Sequence, residues 1–127
     1  MQLTNPLVVL LLAALPAAVN ASIAIGNQIR AGGDHHNVAW TEGVDACNND
    51  VAIAPESENM CGSENTFEVD GNEYYLSDCL DPDTGYAQKP ARLMHGDGTY
   101  FGSCGEAYYH INCKGTTHDV IKRYICG

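Results

Sequence analysis

The groups in this chain that could do chemistry are six cysteines, five histidines and sixteen carboxylates, set against only six Lys and Arg. The cysteines are Cys47, Cys61, Cys79, Cys104, Cys113 and Cys126, with 13, 17, 24, 8 and 12 residues between neighbours. No pair is separated by only two residues, so the close ligand spacing of a structural zinc site is missing. An even number in a short chain reads instead as three disulfides. Six cysteines can pair in many ways, and the spacing does not choose among them. With all six paired, none is left as a nucleophile.

General acid–base chemistry has the right residue types. Small acidic secreted ribonucleases combine Glu, His and Arg in one cleft, and His95, His110, Arg92, Glu73 and Glu106 would supply that set. A carboxylate or imidazole can exchange the proton while a guanidinium holds the phosphate. With five histidines and sixteen carboxylates some such set is inevitable, and no spacing singles out this one. The chain has no Gly-x-Ser-x-Gly, His-Glu-x-x-His or phosphate-binding loop. No catalytic residue is therefore assigned.

Metal sites fare no better. Asp34-His35-His36 places two histidines side by side, and neighbours in a strand point to opposite faces. Asp81-Pro82-Asp83-Thr84-Gly85 resembles the start of a calcium loop. It lacks an oxygen ligand at Gly85 and a Glu at Arg92, so it reads as a turn. No metal or cofactor is expected.

The elements that must position these groups begin with the stretch Cys61–Cys79. Asp70-Gly71 sits between Thr66-Phe67-Glu68-Val69 and Asn72-Glu73-Tyr74-Tyr75. A two-residue Asp-Gly loop favours a type I′ hairpin, because both central residues need positive φ. That register pairs Phe67 with Tyr74, and it also opposes Glu68 to Glu73, a like-charge clash.

Before the hairpin, Val38 and Trp40 alternate with polar neighbours and read as a strand, with Trp40 in the core. Val51–Ala54 reads as a further short strand within a long loop anchored by Cys47 and Cys61. After the hairpin, Glu106–Cys113 alternates well. Ala107, Tyr109, Ile111 and Cys113 would share one face, and Tyr108, His110 and Asn112 the other. At the end, Thr116 or Thr117 can cap a helix, and Val120, Ile121, Tyr124 and Ile125 fall on one helical stripe. The expected fold is α+β: a small disulfide-stapled antiparallel sheet with a short C-terminal helix.

Residues 7–19 are apolar, and Val19-Asn20-Ala21 offers small residues where a signal peptidase reads. Residues 1–21 are expected to be a signal peptide, although no Lys or Arg precedes the apolar core. The run is short for a membrane span and is interrupted by Pro16. Residues 22–127 then form a single cysteine-rich secreted domain, with 22–33 as a mobile lead-in. The net charge of −10 disfavours binding to nucleic acid or to anionic membranes. It suits an extracellular monomer.

Cys61-Gly62-Ser63 with Phe67, then Ser77-Asp78-Cys79, resembles the opening of the Ecp2-like necrosis-inducing effector domain of plant-associated fungi. Gly102-Ser103-Cys104 leading into a strand, and Asp119-Val120-Ile121 near the end, are similar to its later motifs. The matches keep their order from Cys61 to Ile125. Asp81-Pro82-Asp83-Thr84-Gly85 stands where the family continues a helix, Cys113 and Cys126 look local to this chain, and nothing before Met60 matches. The resemblance implies a secreted fungal protein acting on a host plant, in some cases triggering cell death, and brings no catalytic residues.

The expected function is that of a secreted effector binding a host plant protein or cell-surface component, without stable membrane insertion. A small secreted hydrolase and a killer or antimicrobial toxin aimed at competing microbes are the alternatives. For a binder, the contact candidates are the tyrosines left over from the core: Tyr74, Tyr75, Tyr86, Tyr100 and Tyr108. Tyrosine offers large contact area with few rotamers to freeze.

Overall fold

A computed structural model describes residues 21–79, 89–115 and 118–127. The signal-peptide reading of residues 1–21 and the contact reading of Tyr86 fall, but for Ala21, outside these residues. Eight antiparallel strands form one sheet. They are β1 (Ile23–Arg30), β2 (His36–Thr41), β3 (Val51–Pro55), β4 (Phe67–Val69), β5 (Asn72–Ser77), β6 (Arg92–His95), β7 (Tyr100–Ile111) and β8 (His118–Cys126). The order across the sheet is β3-β2-β1-β8-β7-β6-β5-β4. Among the described residues there is one short helix, α1 (Ala46–Asn49), capped by Asp45, whose side chain accepts from the Cys47 amide.

The sheet curls until it is almost a closed barrel. Its two edges, β3 and β4, lie against each other without a ladder between them. The Thr41 hydroxyl donates to the Asp70 carboxylate and ties the end of β2 to the β4–β5 turn. The long strand β7 joins the two halves. Its first part, to Ser103, pairs with β6, and from Cys104 onward it pairs with β8. Bulges at four of the strand pairings bend the strands and allow the closure.

The α+β expectation is corrected by this architecture. The C-terminal segment is no helix: β8 is a central strand, bonded to β1 on one side and β7 on the other. Its Val120, Ile121, Tyr124 and Ile125 are β-branched or aromatic, types that suit a pleated, packed surface. The helical stripe arises from a bulge. Ile25 faces Tyr124 while Gly26 faces Lys122, which leaves Arg123 as the extra residue. Val120 therefore packs outside the barrel, and Tyr124 and Cys126 inside it. Without the bulge, all three would share one face.

The lead-in expected over 22–33 is also corrected. Ile23–Gln28 are buried throughout, because β1 lies between β2 and β8 with a packed layer on each face. Inside the barrel sit Ile23, Ile25, Phe67, Leu76, Leu93 and Cys126 among others. Outside it, α1 and its loop cover a second cluster of Ala24, Val38, Trp40, Ala46, Cys113 and Val120. Trp40 is a core residue as expected, at 1% exposure.

Three disulfides staple the fold, with no free cysteine: Cys47–Cys113, Cys61–Cys79 and Cys104–Cys126. The first clamps the α1 loop over the outer cluster. The second ties the approach to β4 to the end of β5. The third joins directly opposed residues of β7 and β8. Among the described residues, no helix is long and apolar enough to cross a membrane.

Candidate functional site: an uncovered face on the second half of the sheet

The β4–β5 hairpin forms in the expected register. Asp70 and Gly71 have φ of 51° and 80°, as a type I′ turn requires. Phe67 faces Tyr74, and Glu68 faces Glu73. Strands β5, β6 and the start of β7 continue the sheet, pairing Tyr75 with Met94 and Met94 with Tyr100.

Alternation then sorts the side chains into two faces. Tyr74, Leu76, Leu93 and Phe101 point into the barrel. The Tyr74 and Phe101 rings meet edge to face at 5.3 Å, and His95 joins them at 5.6 Å from Tyr74 and 5.3 Å from Phe101. Burial raises the Tyr74 phenol above its ordinary pKa, and the nearby Asp70 charge adds to the effect.

The opposite face carries Tyr75, Met94 and Tyr100 in one row across three strands. Tyr100 is 55% exposed, and Tyr75 and Met94 are half-buried. Nothing among the described residues covers this row as α1 covers the other half. The Tyr100 hydroxyl shares a 2.7 Å hydrogen bond with the Ser103 hydroxyl, which holds one end of the row.

Carboxylates border the row on the side of the turns. Glu68 and Glu73 occupy the next rung, and Asp97 lies in the β6–β7 turn. In that turn the His95 amide donates to the Thr99 carbonyl at 2.8 Å, and the Gly96 amide donates to the Glu73 carbonyl at 2.7 Å. Glu73 folds its carboxylate onto Gly96: a Cβ there would stand 2.3 Å from Oε1. The Thr99 hydroxyl and amide both donate to Asp97 Oδ1, and these bonds hold its carboxyl below the usual range. None of Glu68, Glu73 and Asp97 has a Lys or Arg partner among the described residues. An open depression of about 390 Å³, lined by Asn72, Glu73, His95, Gly96, Asp97 and Thr99, lies at this border.

The structure thus divides the expected contact tyrosines. Tyr74 is core, at 5% exposure, so it is no contact residue. Tyr75 and Tyr100 come together on the uncovered face. Tyr108, 70% exposed, lies apart on the stretch of β7 that pairs only with β8. Its neighbour Tyr109, placed by alternation on the face opposite Tyr108, is also exposed, at 63%. The bulge between Glu106 and Tyr109 breaks that alternation. Met94 was not legible as a site residue, because no local pattern marks β6.

The acid–base set is scattered. His95 and Glu73 share the depression, but Arg92 pairs with Asp78 at 3.3 Å and Glu106 with Lys89 at 3.6 Å. His110 Nε2 meets Asp119 Oδ2 at 3.1 Å, in the β7–β8 connection. Among the described residues, no group of three or more His, Cys, Asp or Glu side chains is placed to hold a metal ion. The chain matches no protein-family model, no curated protein and no solved structure.

Proposed function

We propose that this is a secreted, disulfide-stapled binding protein, and that it contacts its partner through the outer face of β5, β6 and the start of β7. The observation that carries this reading is the Tyr75–Met94–Tyr100 row, left uncovered among the described residues on a sheet whose other half has its outer face closed by α1 and Cys47–Cys113. Aromatic and methionine side chains on ordered strands make good contact residues, since little conformational freedom is lost on binding. Three disulfides suit an oxidising, extracellular setting. In the effector reading, the partner is a protein or cell-surface component of a host plant. That part rests on the sequence motifs from Cys61 onward, of which Asp119-Val120-Ile121 now lies in a strand where the family has a helix.

A second reading, an acid–base hydrolase, draws on the depression that holds His95, Glu73 and Asp97. Among the described residues no guanidinium lines it, and Arg92 lies beside Asp78. Binding without catalysis is the stronger reading.

The test is infiltration of the oxidised protein into leaves of several plant lines, beside a Tyr75→Ser/Tyr100→Ser variant with an unchanged circular-dichroism spectrum. A line-dependent response that the variant loses supports the reading. A response that the variant keeps in full removes this face from the function. Degradation of bulk RNA that His95→Ala abolishes would favour the hydrolase.

A further inference from the structure

We infer that the partner presents arginine to this face: the guanidinium lies over the Tyr75–Met94–Tyr100 row and reaches Glu73 and Asp97 at its border. The inference rests on the binding reading above and adds the chemistry of the partner.

Three observations converge on it. First, the row carries two tyrosines, and a planar, weakly hydrated guanidinium stacks on tyrosine faces better than an ammonium does. Second, the adjoining carboxylates are positioned and have no Lys or Arg partner among the described residues. Glu73 is laid on Gly96, and Asp97 is held by two bonds from Thr99. Glu68 directly faces Glu73, so the border concentrates negative charge with no Lys or Arg to relieve it among the described residues. Third, the cation nearest in the same sheet, Arg92, lies on the far side of the row and is neutralised by Asp78. A positive group approaching the row therefore meets attraction at the border and no bare cation behind it. Glu73 and Asp97 both line the open depression beside the row. The net charge of −10 would steer such a partner inward from a distance.

The experiment is a two-dimensional amide and methyl NMR titration of the oxidised protein. The probe is a short, end-blocked peptide carrying two arginines between glycines. Peptides with lysine or with uncharged citrulline in the same positions, and calcium chloride, are titrated in parallel. Shifts centred on Glu73, Tyr75, Met94 and Tyr100 are expected with the arginine peptide, weaker ones with lysine, and none with citrulline. Glu73→Gln is expected to weaken the arginine peptide about tenfold. Raising the ionic strength from about 50 mM to about 500 mM should weaken it as well.

Equal binding of the citrulline peptide at the same residues would overturn the charge inference and leave the binding face intact. Shifts centred elsewhere, no shifts with any peptide, or unchanged affinity in Glu73→Gln would overturn it too. So would a calcium response at Glu73 and Asp97 at lower concentration than the peptide needs. The leaf assay reads the face independently: lost response in Tyr75→Ser/Tyr100→Ser together with a silent titration would sink the arginine partner alone.

Discussion

Glu68 lies directly opposite Glu73 across the β4–β5 hairpin, and neither has a basic partner among the described residues. The rungs on either side favour the hairpin: Phe67 meets Tyr74 with ring centroids 6.2 Å apart, and Asp70-Gly71 supplies the turn. The like-charge rung is therefore carried by its neighbours at some cost in stability. Glu68→Lys would convert it into an opposite-charge pair. The expected outcome is a stabilisation of roughly 0.2–1 kcal/mol in urea unfolding, shrinking as salt rises. A destabilised variant would mean that Glu68 has a favourable role here.

Gly26 sets how closely β1 can approach β8. A Cβ at this position would stand 2.1 Å from the Ile121 carbonyl oxygen, a backbone atom that cannot swing aside. Gly26→Ala should cost upwards of about 3 kcal/mol, since relief requires parting two central strands. Failure to accumulate oxidised protein, or a much lower urea midpoint, would be the readout. Near-wild-type stability would show that the β1–β8 bulge can shift.

Of the three disulfides, Cys47–Cys113 closes the longest loop, at a sequence separation of 66 against 18 and 22. Chain entropy then assigns it about 4 kcal/mol, against roughly 3 kcal/mol for each of the others. It also holds α1 over Trp40. Replacing both cysteines by Ser should lower stability more than removing Cys61–Cys79 in the same way. Trp40 fluorescence should report the opening of the outer cluster before global unfolding.

Acid should weaken the β7–β8 connection through Asp119. Its carboxyl is held below the ordinary value of 3.8, first by the Cys113 amide and then by His110. A depressed folded pKa contributes stability above the unfolded value, and that contribution is lost as pH falls through the folded one. The loss should begin near pH 4 and grow below it. Asp119→Asn should flatten this part of the pH–stability curve. At the alkaline end, the raised Tyr74 pKa has the opposite sign: its contribution is present below pH 10.0 and declines above it. Tyr74→Phe should remove that decline.

Local chemistry made part of this molecule legible. Asp-Gly between two alternating runs specified the hairpin and its register, because a type I′ turn leaves no choice of pairing. Val38–Trp40 reads as a strand from its alternation and Val51–Ala54 from a short apolar run, and both signals are short-range. The even cysteine count announced the disulfides, whereas the partners within them depend on which strands meet in space. β1 was illegible because a strand packed on both faces shows no alternation, and Ile23–Gln28 are buried without a break. β8 was misread because a bulge at Arg123 moves its side chains from one face to the other, leaving apolar residues at helical spacing. Tyr75, Met94 and Tyr100 come from three strands, so their alignment is a matter of register alone. Pairing between strands is set by the closure of the whole sheet around its core, which no single segment encodes.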